Sequence, residues 1–254
     1  MTAKTVVAIG SLALALGSAG CLRYYEVPVE VPIQAKIDVS RFQRVLIAGF
    51  LGGGAKAIDP NTETARLLRS QLRSKQDLRV IDADVLSLVD EVDRRRQPPV
   101  PPAAPSADPK IKTDADLKNY DQIFADTAFW KQLALDYDNP LIVTGSVMFT
   151  EIAKSGMITK PQTYVDPQSG LEQYRSVREY SDLKGFSLTP KFVFIDGRTG
   201  AELYSETYHE EALYPSGQNT PALSSYFELM DKVLPSFLNT LSTQKIRGSR
   251  TLLK

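Results

Sequence analysis

The stretch Phe186-Ser-Leu-Thr-Pro-Lys-Phe-Val-Phe-Ile-Asp196 constrains this chain more than any other. It is followed by Gly197-Arg-Thr-Gly200 and a return from Ala201 to Tyr208. Phe186, Leu188, Phe192 and Phe194 recur at a period of two, as a half-buried strand requires. The pattern predicts two antiparallel strands joined by a tight turn, with Gly197 and Gly200 supplying positive φ. Leu141-Ile-Val-Thr-Gly-Ser-Val-Met-Phe149 is a second apolar strand and the natural neighbour. A chain with such a pair at its centre is built around a sheet.

With 254 residues there is enough chain to bury one substantial core. The 30 basic residues match the 30 acidic ones, so no net field favours nucleic acid, and no nucleic-acid partner is expected. Cys21 is the sole cysteine and His209 the sole histidine, which leaves no internal disulfide, cysteine cluster or multi-histidine metal site. No metal or other cofactor is expected.

The N-terminus reads as an address. Lys4 gives a basic start, Val6 to Leu16 an apolar run too short for a comfortable membrane span, and Gly17-Ser-Ala-Gly20 a small-residue exit. Cys21 comes directly after, an order that resembles the bacterial lipobox, although Ser18 stands where leucine is commonest. Residues 1–20 are therefore expected to be a lipoprotein signal, with lipidation at Cys21. Leu22 is not aspartate, which points to the periplasmic face of the outer membrane.

Along the mature chain, residues 21–40 carry spaced prolines and valines and read as a tether ending in an edge strand. Arg44 to Phe50 is a buried strand and Thr62 to Ser74 a helix, capped by Asn61 or Thr62. A short strand spans Leu78 to Asp82, and a second helix runs from Asp84 to Arg96 with Val85, Leu88, Val89 and Val92 inward. Residues 97–118 form a Pro-rich insertion, and Asp121 to Asp136 a further helix. Lys154 to Leu183 is a polar excursion or hairpin turning at Asp166-Pro-Gln-Ser-Gly170. The last helix, Pro221 to Leu241, presents Leu223, Phe227, Met230, Leu234, Phe237, Leu238 and Leu241, with a kink expected at Pro235. Residues 244–254 read as a frayed basic tail. The economical fold is α/β (α+β): one mixed β-sheet packed with helices over residues 41–243.

No motif demands a reaction. Gly49-Phe-Leu-Gly-Gly-Gly54-Ala-Lys56 follows a strand, but a phosphate loop needs Gly-Lys-Ser/Thr in succession, and Ala57 stands where the hydroxyl belongs. A flexible surface loop is the expectation there. His209 has no Gly-x-Ser-x-Gly elbow to serve. The acidic pairs Asp136 with Asp138 and Glu210 with Glu211 need a cleft to become acid–base groups. Arg94, Arg95 and Arg96 close a helix and suit its dipole, but also offer an anionic contact. Tyr204, Tyr208 and Tyr214, with Tyr226 and Phe227, form an aromatic group of the kind enriched in interface cores. The candidate partner surface is thus Tyr204, Tyr208, Tyr214 and Arg94 to Arg96. No catalytic residue is expected.

Three pieces in order carry a family resemblance: Val45-Leu-Ile-Ala-Gly-Phe leading to Glu63-Thr-Ala-Arg-Leu-Leu-Arg-Ser-Gln-Leu, then Leu141-Ile-Val-Thr-Gly-Ser-Val, then Phe192-Val-Phe-Ile-Asp-Gly-Arg-Thr-Gly-Ala-Glu-Leu. Together they resemble bacterial envelope lipoproteins of the CsgG group, the lipoprotein activators of penicillin-binding proteins and the N-terminal domain of TolB. The resemblance implies a periplasmic domain held at the outer membrane that acts by binding envelope proteins. Its channel-forming members imply an alternative, a ring of copies forming a secretion pore. Here the hairpin candidate Tyr164 to Tyr180 lacks the apolar alternation of a membrane strand, and Leu51 to Ala57 lacks the aromatics of a channel constriction.

Overall fold

A computed structural model describes residues 24–74, 78–96 and 110–253. The expected signal, Cys21 and residues 97–109 of the Pro-rich stretch lie outside the described residues. In chain order the elements begin with β1 (Tyr24–Ile33), β2 (Arg44–Gly54), α1 (Pro60–Arg73) and β3 (Arg79–Ile81). Next come α2 (Leu88–Arg96), α3 (Asp114–Tyr120), a 3-10 turn (Asp121–Ala125) and α4 (Thr127–Leu135). The strands β4 (Leu141–Val165), β5 (Glu172–Asp196), β6 (Glu202–Thr207) and β7 (Glu210–Pro215) precede α5 (Ala222–Leu241) and β8 (Gln244–Leu253). Two units result: the large one spans Lys36–Ser242, and the small one comprises the two ends of the chain.

The large unit is one mixed six-stranded sheet in the order β3-β2-β4-β5-β6, with β7 added to β5. β2 runs parallel to β3 and β4, and the other pairs are antiparallel. β6 takes Lys191–Ile195 of β5 and β7 takes Leu183–Leu188, so the two short strands share one edge of the long one. Helices cover both faces. On one face α1 and α5 bury Ala65, Leu68, Tyr226, Leu229, Val233 and Phe237 against Val45, Val143, Phe149, Phe192 and Phe194. On the other, Leu88, Ile123, Phe124 and Trp130 cover Leu46, Ala48, Ile142, Val193 and Ile195. The central strand is therefore buried on both faces, where its alternation predicted one. The sequence Val193 and Ile195 between the phenylalanines is what a doubly covered strand needs.

The glycine run expected to be a surface loop is the end of β2. Gly52, Gly53 and Gly54 pair with Val147, Met148 and Phe149. A Cβ on Gly53 would stand 2.6 Å from Ile111 and 2.7 Å from Met148, and one on Gly54, at φ +101°, 2.0 Å from the Phe149 carbonyl oxygen. These glycines let neighbouring backbone and core close in. They do not cradle a ligand. The β5–β6 turn is also corrected: Gly200 has φ +72°, but Gly197 serves close approach, with the Pro140 carbonyl oxygen 2.4 Å from where a Cβ would lie.

Local chemistry explains the other differences. Asp59, not Asn61 or Thr62, caps α1, and Pro60 occupies its first turn. Asn61 instead accepts from Phe50 N at 2.7 Å and donates to Leu86 O at 3.0 Å, tying β2 to the segment before α2. The helix expected over 121–136 is broken, because Asp126 turns back to accept from Phe129 N and start α4. Within the Pro-rich insertion, Ile111 is fully buried and Thr113 opens α3 with a capping box, so residues 110–118 belong to the fold. The body likewise begins inside the expected tether: Ile37 and Phe42 are buried, and Ile37 N donates to Thr240 O at 3.1 Å. α5 runs unbroken through Pro235, and Leu223 on it is exposed.

The small unit is an antiparallel pair, β1 with β8, registered from Tyr24↔Leu253 to Ile33↔Gln244. Residues 24–33 are thus strand where a tether was expected, and residues 244–253 strand where a frayed tail was expected. Each half supplies the other's backbone partners.

The glycine correction is testable by thermal unfolding. Gly54→Ala should cost about 3 kcal/mol, or roughly 10 °C in Tm, from positive φ and overpacking together. Gly156→Ala, with nothing within 4 Å of the new methyl, should leave Tm unchanged or slightly raised.

Candidate functional site

The largest departure from a closed fold is the hairpin of β4 and β5. Both strands are 25 residues long, and their register holds without a break from Leu141↔Asp196 to Val165↔Glu172. β2 leaves β4 at Phe149, and β7 leaves β5 at Leu183. Beyond those points the two strands pair only with each other among the described residues. β7 still pairs with Leu183, opposite Lys154, so 155–165 is the part past the sheet, and at 3.4 Å per residue it reaches about 37 Å. The sequence reading allowed a hairpin here and located its turn. Asp166 accepts from Gln168 N at 3.0 Å and Ser169 Oγ at 2.7 Å, and Gly170 takes φ +68°. Hydrogen bonds from the Gln168 backbone and the Ser169 hydroxyl hold the Asp166 carboxyl below the usual range. The length was missed because burial stops at Phe149 while strand pairing does not.

The ribbon's two faces are alike in chemistry. One carries Met157 opposite Tyr180, Thr159 opposite Arg178, Thr163 opposite Tyr174 and Val165 opposite Glu172. The other carries Ile158 opposite Glu179, Lys160 opposite Val177, Gln162 opposite Arg175 and Tyr164 opposite Gln173. Lys160 Nζ lies 3.0 Å from Glu179, Tyr164 donates to Gln173 at 2.9 Å, and the Arg175 guanidinium lies 5.3 Å from the Tyr164 ring centre. Large apolar groups between these pairs stay in water: Met157 is 63% exposed and Tyr174 78%. A two-stranded ribbon is at best marginally stable on its own in water. One that displays tyrosine, methionine and arginine along both faces has the composition of a protein-binding surface.

The tyrosines and arginines singled out from sequence do not meet. Tyr204, Tyr208 and Tyr214 lean on the α5 side of the sheet, partly buried. Tyr208 donates to Glu206 at 2.6 Å and Tyr214 to Glu228 at 2.5 Å. Arg94, Arg95 and Arg96 end α2 on the opposite side and are already engaged. Arg94 and Arg95 reach Glu91, Arg95 also reaches Asp126 at 2.6 Å, and Arg96 donates to Asn119 O. Arg95 and Arg96 lie over Phe129 and Tyr120. The tyrosines and the arginines form two separate patches.

His209 sits exposed, 3.0 Å from Thr189 Oγ1 and 3.4 Å from Glu211, which Lys154 also engages. Asp138 pairs with Arg44. Among the described residues no cluster of histidine, cysteine or carboxylates has metal-binding geometry. A shallow cleft of about 510 Å³ between α1 and the segment after β3 is lined by Arg66, Arg69, Arg73 and Asp82. Its charges are matched internally: Arg73 to Asp82 at 2.9 Å, Arg66 to Glu63 at 3.0 Å, and Arg69 to the Ile47 carbonyl at 2.9 Å.

One titratable cluster fastens the body's first residues to its edge strand. Lys36 Nζ lies 2.6 Å from Glu206, which also accepts from Tyr208. Burial pulls the Glu206 carboxyl upward, but hydrogen bonds from Lys36 and Tyr208 outweigh it and leave the carboxyl below its ordinary value. The same bond raises Lys36. Burial, then the hydrogen bond to Glu206, pushes the Tyr208 phenol up to about 12.

Comparison with known proteins adds little. No family model matches the chain, and no curated protein matches it. Among solved structures, lipoprotein GNA1162 from Neisseria meningitidis is similar over 77% of this chain and 98% of its own, at 14% identity and a TM-score of 0.29. The fold described above rests on this chain's own sheet order and packing.

The Lys36–Glu206 cluster has a definite pH signature. Because the folded carboxyl is depressed, its contribution is present above the unfolded value near 4.3 and is lost as pH falls through the folded value. Wild type should exceed Glu206→Gln by about 1 kcal/mol at pH 7, a figure kept small by partial solvent screening. Thermal unfolding at a series of pH values should show that gap closing in acid.

Proposed function

We propose that this chain is a lipoprotein anchored to the periplasmic face of the outer membrane, where it acts as a non-catalytic accessory by binding other envelope proteins. The processes it would serve are secretion, envelope biogenesis or activation of peptidoglycan synthases. The observation that carries this reading is the projecting β4–β5 ribbon, with exposed tyrosine and methionine that the body does not use. Its long register gives a partner both main-chain edges and side-chain pockets at alternate positions. The anchor reading draws on the basic start, apolar run and small-residue exit that place Cys21 where acylation needs it. No helix among the described residues is long and apolar enough to cross a membrane.

The ribbon also suits a second reading, a pore subunit in a ring of copies, since about 37 Å of strand exceeds a hydrocarbon core of about 30 Å. Its side chains weigh against that. A barrel strand turns one face to lipid, and here Arg178 stands on one face while Lys160 and Arg175 stand on the other. Each such cation at mid-membrane costs about 2–4 kcal/mol, so neither face is a lipid face without penalty.

Labelling with palmitate should modify the wild type and leave Cys21→Ser unlabelled; an unlabelled wild type in the soluble fraction would sink the anchor. Replacing residues 155–182 with a short Gly/Ser turn should keep the body folded, with Tm within a few degrees, and abolish crosslinks to envelope proteins. Gel filtration in mild detergent tests the alternative: monomer or dimer supports the accessory reading, and a large ring supports the pore.

A further inference from the structure

The two faces of the β4–β5 ribbon resemble each other in composition but not in how their groups are used. On the face of Ile158, Lys160, Gln162 and Tyr164 the polar groups pair with one another. Lys160 meets Glu179, Tyr164 donates to Gln173, and Arg175 donates to Gln162 at 3.3 Å. On the other face Tyr174, Arg178 and Tyr180 are exposed and make no hydrogen bond, ion pair or ring contact among the described residues.

The backbone beside those residues says what fits there. In an antiparallel ladder the main-chain groups of alternate residues point to the partner strand, and those of the residues between point away. On β5, Ser216 N donates to Asp182 O at 2.9 Å and Tyr208 N to Pro190 O at 2.9 Å, so the even-numbered residues point away from β4. The register is unbroken, so Tyr180, Arg178, Ser176, Tyr174 and Glu172 also turn their N–H and C=O groups outward along the ribbon edge. On β4, Ala55 N donates to Phe149 O at 2.6 Å, so the odd-numbered residues point outward there, and Pro161 is one of them. Proline has no N–H, and its place blunts the middle of the β4 edge. The β5 edge carries no such block. Its outward residues present donor and acceptor in alternation, and another extended strand is what matches such a row. The side chains of that strand that stand opposite them fall on the face of Tyr174, Arg178 and Tyr180, the face whose groups are unpaired.

We infer that the β5 edge from Tyr180 to Glu172 accepts an extended segment of a partner protein as an added strand, antiparallel to β5 as β7 is. An acidic side chain of that segment lies beside Arg178, and apolar ones lie beside Tyr174 and Tyr180. The role of this edge rests on the ribbon being the binding element of the accessory reading, and it adds the partner's conformation and charge. The added strand takes up the line of β7, whose last pair is Pro215 with Leu183. Main-chain hydrogen bonds give such a contact its affinity, and the alternate side chains give it specificity.

The test uses the full mature chain from residue 21 with Cys21→Ser and a fluorescein-labelled, end-capped peptide, Lys-Val-Thr-Glu-Thr-Thr-Thr-Val-Lys. Laid antiparallel, it sets Val, Glu, Thr and Val opposite Tyr180, Arg178, Ser176 and Tyr174. Fluorescence anisotropy should show saturable binding. Ser176→Pro removes one outward N–H and no bond of the β4–β5 ladder, so it should weaken binding at least about tenfold with Tm unchanged. The matching change on the other edge, Thr159→Pro, should leave binding within about twofold. Arg178→Glu should weaken binding about two- to fivefold, and a peptide with Lys in place of its Glu should restore it. No binding of the peptide, or equal losses from Ser176→Pro and Thr159→Pro, would overturn the inference. So would a dimer of the chain alone that Ser176→Pro splits, since a second copy would then be the added strand. Crosslinks to envelope proteins that vanish when residues 155–182 are replaced but survive Ser176→Pro would sink the edge and leave the ribbon's binding role standing.

Discussion

The pairing of β4 with β5 does two different jobs along one ladder. From Leu141 to Phe149 every residue of β4 is buried, as is Phe192 to Asp196 on β5, and helices close both faces. From Ser155 outward, past the last residue that β7 pairs, the same hydrogen-bonding pattern continues with the side chains largely in water. The change of environment, not a change of backbone, divides body from ribbon. Had β2 and β7 been as long as β4 and β5, the projection would have been a four-stranded sheet rather than a two-stranded ribbon. Their short lengths define where the fold ends and the exposed surface begins.

The buried half is held by aromatic packing across layers. Phe237 on α5 meets Phe192 at 4.8 Å and Phe194 at 5.8 Å between ring centres, and Phe50 on β2 meets Phe192 edge-on at 6.1 Å. Such pairs add about 0.5–1.5 kcal/mol each beyond the area they bury. Tyr226 brings a polar group into this core and has it matched: its hydroxyl lies 2.5 Å from Thr64 Oγ1, which donates to the Pro60 carbonyl at 2.6 Å. Burial raises that phenol well above its ordinary value, so it stays neutral there. This packing fixes the root of the β4–β5 ribbon in the body.

Legibility in the sequence followed burial. The period-two phenylalanines, the Gly-Arg-Thr-Gly turn and the 141–149 strand were readable because one environment covers each of them. The Asp166 turn was readable because an Asp-Pro-Gln-Ser-Gly string has few other uses. What escaped has a physical cause in each case. Gly52 to Gly54 looked like a loop because glycine signals both freedom and tight packing, and only the approach of Ile111 and Phe149 distinguishes them. β1 and β8 looked like tether and tail because each is half of a pair, and the other half lies more than 200 residues away in sequence. The proposed tyrosine and arginine patches were adjacent as a list but sit on opposite sides of a doubly covered sheet, a distinction that linear reading cannot make before the sheet has two faces.

The ribbon of β1 with β8 and the ribbon of β4 with β5 are both two-stranded, but they differ in chemistry and in how they are built. The β4–β5 arm mixes signs: Arg175, Arg178 and Lys160 are interleaved with Glu172 and Glu179, and its aromatic groups lie on both faces. The β1–β8 pair has apolar residues on both strands, with Val31 opposite Ile246 and Tyr25 opposite Leu252, and its charges nearly balance: Lys245, Arg247 and Arg250 against Glu26 and Glu30. The two ribbons therefore differ in construction: one continues a ladder that starts inside the sheet, and the other joins two segments more than 200 residues apart in sequence.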